Sequence, residues 1–219
     1  MRILHIGLMS VLLSLGAQQA GAHYWWILAT SAGPAPGESV RLEVGGGHGF
    51  PESDTLLAER LLHAARVVGP GMDESLTFVA GDTLRVADVS LPESGVYRAE
   101  FEVQRPGDAR PLIMGRTLIL TGDGDDVDAY ATGEGLEIVP TTKLSAWAKG
   151  EDLQLEVRLD GEVVPAMIRL ERAGERPVRL RTAPGRPADF TRWVEGPSLF
   201  VVEHEGQTVT LTVRPLEED

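Results

Sequence analysis

Histidine is the most informative side chain of this sequence, because it titrates near neutral pH and binds transition metals. The chain contains five histidines and no cysteine. Thiolate ligands and a cysteine nucleophile are therefore excluded, and a metal site would have to use imidazole, carboxylate, methionine or backbone donors. Four of the histidines follow residue 22, namely His23, His48, His63 and His204. The chemistry to consider first is the coordination of a divalent transition metal by nitrogen atoms.

His23 is the strongest candidate ligand if it becomes the first residue of a processed chain. An N-terminal histidine offers its α-amine and its imidazole Nδ1 to the same metal ion. The amine has an intrinsic pKa of about 7.7–8.0, so a metal can displace its proton near neutral pH. His48, in a glycine-rich loop, is the best candidate for another imidazole, because such a loop can adopt unusual backbone angles. A nitrogen set of this kind suits copper(II) or nickel(II).

His204 is the next candidate, because it lies just before a turn at the end of a strand. Glu52 and Asp54 are close to His48 in sequence and are candidates to orient its ring or to add an oxygen ligand. We therefore predict a metal site formed by His23, His48 and His204, occupied by a divalent transition metal such as nickel, cobalt, copper or zinc.

Each of these residues also has a purely structural interpretation. His48 can hydrogen-bond its own loop, and His204 can do the same at its strand end. His63 lies in an apolar run, which is typical of a core or edge histidine. The aromatic residues that follow His23, Tyr24–Trp26 in sequence, could wall a metal site or simply pack between sheets.

The N-terminal segment predicts export. Arg2 provides a positive start, residues 3–16 are largely apolar, and Ala20 and Ala22 occupy the small-residue positions of a signal-peptidase site. The apolar run is shorter than the roughly 20 residues that cross a bilayer. We predict that residues 1–22 are a signal peptide, that cleavage makes His23 the new N-terminus, and that the protein is periplasmic.

The charge of the chain excludes some partners. Its net charge is −13, and removal of Arg2 with the signal would leave −14. Nucleic acids and anionic lipids require clustered lysine and arginine, so neither is expected as a partner, and no membrane insertion is expected after cleavage. An acidic surface is compatible with cations, although it also serves solubility.

Period-two alternation of apolar and polar residues predicts an all-β fold. Residues 40–44, 97–103, 153–159 and 209–213 each alternate in this way. Asp160-Gly161 and Glu205-Gly206 have the composition of tight hairpin turns. Residues 56–68 also fit a helical face, and we expect a short helix or loop there that leads into a strand ending at 68–70. Short strands with such punctuation are typical of β-sandwiches.

An acidic, glycine-rich segment divides the chain. Residues 122–133 contain closely spaced aspartates and glycines, a composition that cannot bury a core, so we predict a solvated linker there. The segment separates a first sandwich, residues 23–121, from a second one, residues 134–219. A calcium loop is an alternative because calcium binds closely spaced carboxylates, but Asp128 falls one position late for that motif.

Several segments resemble the domain-of-unknown-function 4198 family. The resemblance covers nearly all of the processed chain and rests on His23-Tyr24-Trp25-Trp26-Ile27, Pro36-Gly37-Glu38, Gly47-His48-Gly49-Phe50-Pro51, Val67-Val68-Gly69-Pro70, Gly135-Leu136-Glu137-Ile138-Val139-Pro140 and Leu199-Phe200-Val201-Val202-Glu203-His204. That family is similar to periplasmic components associated with nickel and cobalt uptake. The resemblance implies two immunoglobulin-like or transthyretin-like β-sandwich domains in tandem and a role in metal handling. The chain departs from such components in having no histidine-rich tract.

Three classes of function follow from these observations. The first is a metal-binding accessory of an uptake or handling system, with the metal ion and a membrane transporter component as partners. The second is a metal-free interaction module that docks onto a transporter or receptor. The third is a copper enzyme with an N-terminal histidine brace. We predict that the protein is not an enzyme, because no nucleophile elbow, zincin motif or phosphate loop is present.

Overall fold

The fold is built almost entirely of β-strands, as the alternating patterns predict. The computed structural model describes residues 24–148, 151–191 and 196–215. His23 and the predicted signal peptide therefore lie outside the described residues. The strands are β1 (Tyr24–Ala29), β2 (Ser39–Gly47), β3 (Leu62–Gly69), β4 (Met72–Ser75), β5 (Val79–Ala80), β6 (Arg85–Ser90), β7 (Gly95–Val103), β8 (Ile113–Thr121), β9 (Leu136–Pro140), β10 (Leu153–Leu159), β11 (Glu162–Val163), β12 (Ala166–Glu171), β13 (Val178–Thr182), β14 (Ala188–Phe190), β15 (Ser198–His204) and β16 (Gln207–Val213). The α-helix α1 (Leu144–Ala148) and two 3₁₀ turns, Glu59–Leu61 and Val127–Tyr130, complete the described elements.

The described strands form three sheets. One has the order β1-β2-β6-β5, a second has the order β11-β10-β14 with β9 also paired to β10, and the third has eight strands in the order β13-β12-β15-β16-β8-β7-β3-β4. Neighbouring strands are antiparallel throughout except for β8 and β16, which are parallel. The all-β prediction is confirmed.

The predicted strands and turns are present at the predicted positions. The four alternating segments are β2, β7, β10 and β16, and their apolar residues face the interior, as in β2, where Val40, Leu42 and Val44 are buried. Asp160-Gly161 joins β10 to β11 and Glu205-Gly206 joins β15 to β16, each with positive φ at both residues. Such two-residue turns match the twist of an antiparallel hairpin.

Residues 56–68 contain a 3₁₀ turn, Glu59–Leu61, which is followed by β3. Of the apolar residues that fit a helical face, Leu57 and Leu61 precede β3, and Ala64 and Val68 lie on it. On this strand Val67 is buried and Arg66 is exposed. The prediction of a short helix or loop leading into a strand that ends at residues 68–70 is confirmed, since β3 ends at Gly69.

The two halves of the chain share one sheet, and the division into sandwiches of residues 23–121 and 134–219 stays a prediction. Strand β8, from the first half, pairs with β16, the last strand of the second half. Leu118 and Leu120 of β8 belong to the core of the second half, whereas Ile119 belongs to the core of the first. Because successive side chains of a strand point to opposite faces, β8 can line both cores at once.

The acidic segment 122–133 packs against the second half through Tyr130, while Gly122, Asp123, Asp126, Asp128 and Gly133 are exposed. Tyr130 is completely buried, and its hydroxyl donates to Asp125 and accepts from the Leu144 backbone N–H at 2.9 Å. The Asp125 carboxylate also accepts from the Ser145 backbone N–H at 2.7 Å. Burial, and then the hydrogen bond with Asp125, raise the pKa of Tyr130. One aromatic side chain thus anchors a segment whose composition predicted exposure.

A buried carboxylate fixes the end of the same segment. Glu137, 1% exposed, accepts hydrogen bonds from the backbone N–H groups of Thr132, Gly133 and Glu134, from the Thr132 hydroxyl, and from Arg116 at 2.9 Å. Burial raises the pKa of this carboxyl, but the hydrogen bonds from Thr132 and Arg116 outweigh it and leave the pKa below its ordinary value. Because Arg116 lies on β8 and Glu137 on β9, the carboxylate joins strands of both halves.

Candidate metal centre

The glycine run before His48 belongs to strand β2 and not to a loop, which corrects the sequence interpretation. Tyr24 pairs with Gly47, Trp25 with Gly46 and Trp26 with Gly45. A Cβ atom at Gly46 would lie 2.2 Å from the ring of Trp25, and one at Gly45 would lie 2.9 Å from that of Trp26. Glycine is required here because the indole rings lie directly over the opposite backbone, a known reason for glycine within a strand.

Trp26 packs between sheets, as one of the two interpretations of the aromatic residues predicts. Its ring is 1% exposed and meets the edge of Phe50 at a centroid distance of 5.4 Å. Leu199 and Val201 of β15 complete this small cluster. The start of the first sheet is therefore held against a strand of the second half by apolar burial.

The residues after His48 fold back onto β2. The Ser53 hydroxyl donates to the Gly46 and Thr83 carbonyls and accepts from the Gly46 backbone N–H, at distances of 2.8–3.0 Å. The backbone N–H groups of Asp54 and Thr55 donate to the Gly46 carbonyl. Ser53 thus has a structural role, and its contacts fix the position of Asp54 beside His48.

His48 and Asp54 form the polar pair of this site. The His48 Nδ1 atom lies 3.3 Å from Asp54 Oδ2, and the two side chains are 55% and 54% exposed. A hydrogen bond from the Thr55 hydroxyl to Asp54 Oδ1, at 2.7 Å, and then the contact with His48 lower the pKa of Asp54. The carboxylate is therefore ionised at neutral pH and is placed to hold the imidazole, as the sequence suggested for Asp54.

Glu52 has a different position from Asp54. It forms an isolated backbone bridge with Gly49. Of the two carboxylates named from the sequence, the described contacts therefore bring Asp54, and not Glu52, to the ring of His48.

His204 lies at the end of the molecule where β1 begins. The Thr210 hydroxyl donates to the Trp25 carbonyl at 2.8 Å, and the Arg214 Nε donates to the Ala29 carbonyl at 3.1 Å, so β1 and β16 run in the same direction. The hairpin turn before β16 is therefore at the same end as Tyr24. His204 pairs with Gln207 directly at that turn.

His63 lies elsewhere, on β3, at the point where the register with β7 shifts between Leu62 and Ala64. Its side chain is exposed. It is thus an edge histidine, which is one of the two structural interpretations made from the sequence.

Within residues 24–148, 151–191 and 196–215, no three histidine or acidic side chains are grouped so that they could hold a metal ion. His48 and Asp54 supply two adjacent groups, and His204 lies at the same end of the molecule. His23, the remaining predicted ligand, lies outside the described residues, so the predicted set of His23, His48 and His204 stays a prediction.

A charged cluster beside Tyr24 was not found from the sequence. The Arg169 guanidinium donates to the Tyr24 hydroxyl at 3.1 Å and lies 5.2 Å from the centre of its ring. The same guanidinium is 2.8 Å from Glu171, whose pKa is raised mainly by burial. The residues are about 145 positions apart in the chain, a separation that alternation within one strand cannot reveal.

Comparisons with known proteins identify only distant structural similarity. No family model and no curated protein matches the chain. The crystal structure of Salmonella alpha-2-macroglobulin reacted with methylamine matches with a TM-score of 0.33 and 12% identity, over 88% of this chain and 15% of that one. The D0-D1 domain of intimin matches with a TM-score of 0.28 and 11% identity, over 89% of this chain and 98% of that domain. Neither similarity identifies a function for this chain.

In the part of the chain that the structure describes, no helix is long and apolar enough to cross a membrane.

Proposed function

We propose that the protein is an exported, periplasmic metal-binding accessory of a metal uptake or handling system, and that its metal is bound by His23 and His48. The metal is a divalent transition ion, nickel or cobalt first and copper or zinc as alternatives. A membrane transporter component is the proposed recipient. The proposal assumes cleavage after Ala22, so that the α-amine of His23 is free.

The pairing of β1 with β2 is the main observation in support of the proposal. Tyr24, which follows His23 in sequence, is the Cα partner of Gly47, which precedes His48. Two imidazoles can share one ion only when they lie close together, since metal–nitrogen bonds are about 2.0–2.1 Å long.

Asp54 supports a ligand role for His48. Metal-binding histidines commonly donate one ring N–H to a carboxylate, which fixes the ring and leaves the other nitrogen to coordinate the metal. The contact between His48 Nδ1 and Asp54 Oδ2 has this form, so the metal would bind at Nε2. His204 is proposed as a further donor, because its hairpin lies at the end where β1 begins.

Calorimetry with nickel(II) and copper(II) on the protein that begins at His23 tests the proposal. One equivalent should bind, and affinity should fall as pH drops below about 6.5, where imidazole protonates. His48→Ala should weaken binding by tenfold or more, on the order of one lost ligand. One extra glycine before His23 should weaken it similarly, because the chelate needs both the free amine and the adjacent imidazole.

His63→Ala is the matched control and should leave affinity unchanged, since His63 lies on β3. Absence of binding, or binding that is insensitive both to His48→Ala and to the added glycine, would contradict the metal site. The metal-free interaction module would then be the better account of the protein.

A further inference from the structure

Strand β13 is the last strand of the eight-stranded sheet and pairs only with β12 among the described residues. After Thr182, the chain closes a short turn in which Ala183 and Arg186 exchange backbone hydrogen bonds. The chain then leads into β14, which contacts β13 without pairing with it, so the edge of residues 178–182 has no paired strand among the described residues. Unpaired backbone groups on a sheet edge are a template for another strand.

The side chains of this edge have two distinct faces. Leu180 pairs with Ile168 and packs partly against the core of the second half, and Val178 on the same face is 44% exposed. On the other face, Arg179 and Arg181 are exposed. An incoming strand would therefore meet apolar surface on one side and positive charge on the other.

Positive charge is concentrated around this edge. Residues 169–186 contain six arginines and two glutamates, a net charge of +4 in a chain whose net charge is −13. Arg179 lies opposite Arg169 in the register, and Arg181 lies opposite Met167. Among the described residues, neither Arg179 nor Arg181 is within ion-pair distance of a carboxylate, whereas Arg169 is paired with Glu171. The two edge arginines thus present charge that the rest of the described chain does not neutralise.

The same arginines disfavour pairing between two copies of the chain. Antiparallel pairing of two β13 edges centred on Leu180 would set Arg179 of each copy opposite Arg181 of the other. Like charges directly opposite in a sheet are destabilising, and opposite charges are stabilising. The edge therefore selects an acidic strand over a second copy of itself.

We propose that β13 binds an extended acidic segment of a partner protein by strand addition. The acidic side chains of that segment would lie against Arg179 and Arg181, and the alternate apolar ones against Val178 and Leu180. Strand addition of this kind takes affinity from backbone hydrogen bonds and specificity from alternate side chains. The proposal is independent of the metal site.

Fluorescence anisotropy with a labelled synthetic peptide of alternating glutamate and valine tests the proposal on the metal-free protein. We expect saturable binding that weakens as salt is raised, because the charge pairs at an exposed edge are screened. A peptide with lysine in place of glutamate should not bind. Hydrogen exchange should slow in residues 178–182 when the glutamate peptide is added.

Two variants of equal charge separate this edge from the overall charge of the protein. Arg179→Glu with Arg181→Glu should weaken peptide binding about tenfold or more, since two attractive pairs become repulsive. Arg60→Glu with Arg110→Glu changes the net charge equally at exposed positions of the first half and should have little effect. Unchanged unfolding curves would show that both variants fold.

A further peptide tests strand addition against simple charge attraction. Proline at alternate valine positions preserves the charge but removes backbone donors, so this peptide should bind much more weakly. Equal affinity for the proline peptide, equal loss of binding in both double variants, or a dimer that dissociates on Arg179→Glu would each overturn the proposal.

Discussion

Two carboxylates of this protein, Asp54 and Glu137, each lie in a glycine-containing segment beside a basic partner, yet their surroundings differ. The side chains of His48 and Asp54 are 55% and 54% exposed, whereas those of Arg116 and Glu137 are 15% and 1% exposed. An exposed pair contributes little to stability, because water and salt screen it. A buried pair cannot lose one partner without leaving an uncompensated charge. The first pair therefore has little stabilising role and suits the proposed metal binding, whereas the second pair has a structural role.

The largest expected effect comes from removing the buried carboxylate. Glu137→Ala should lower the free energy of unfolding by about 3 kcal/mol, since Arg116 and three backbone N–H groups lose their acceptor. Chemical denaturation measures this change. Glu134→Ala in the same segment removes an exposed side chain and should have almost no effect. A small loss in Glu137→Ala would contradict the structural role.

Glu137 also predicts how stability depends on pH. Its pKa in the folded protein lies below the ordinary value of 4.5. Its contribution is therefore present above the unfolded pKa and is lost as pH falls through the folded pKa. Glu137→Gln should flatten the acid limb of a plot of unfolding free energy against pH. A variant as acid-sensitive as the unmodified protein would argue against this assignment.

The next-largest loss of stability is expected at Gly46, which lies against the Trp25 ring, and not at Gly49, which has open space beside it. Gly46→Ala should cost about 1–3 kcal/mol, because the new methyl group overlaps the Trp25 ring and forces the ring or the strand to move. Gly49→Ala, with no atom within 4 Å of its added Cβ, is the control and should be close to neutral. Thermal unfolding followed by tryptophan fluorescence reports both stability and ring position. Equal losses of stability in the two variants would mean that both glycines are needed only for their backbone conformation.

A smaller effect is expected at the anchor of the acidic segment. Tyr130→Phe should cost about 1–2 kcal/mol, because the Leu144 backbone N–H loses its acceptor in a buried place. Asp123→Asn changes the charge of the same segment without touching that hydroxyl, and it should leave the denaturation midpoint unchanged. Similar losses in both variants would favour a general charge effect over the specific hydrogen bonds.

The smallest effect on stability is expected at the exposed pair. Asp54→Ala should leave the thermal unfolding midpoint within the scatter of repeated scans. The same change should weaken nickel(II) binding about tenfold to a hundredfold, as expected when the carboxylate that orients a metal-binding histidine is removed. Measured together, the two quantities separate binding from folding. A large loss of stability with unchanged metal affinity would mean that Asp54, like Glu137, has a structural role.

The sequence by itself determined the strands and their turns. Alternation in β2, β7, β10 and β16 records which side chains face a core, and this signal is local because the side-chain period of a strand is two. Asp160-Gly161 and Glu205-Gly206 specify their hairpins for a similar reason, since positive φ at both residues is demanded by the turn itself. For the candidate site, proximity in sequence was sufficient to associate Asp54 with His48.

Only the tertiary structure decided how distant segments meet. The parallel pairing of β8 with β16, the ion pair of Arg116 with Glu137, and the indole rings over Gly45 and Gly46 join elements that no local pattern connects. Such contacts depend on which apolar faces pack together, and many different strand pairings are compatible with the same alternation of apolar and polar residues. The composition of residues 122–133 predicted exposure because it counted aspartates and glycines. Asp123, Asp126 and Asp128 are exposed, but Tyr130 is buried and anchors the segment, which the composition did not predict.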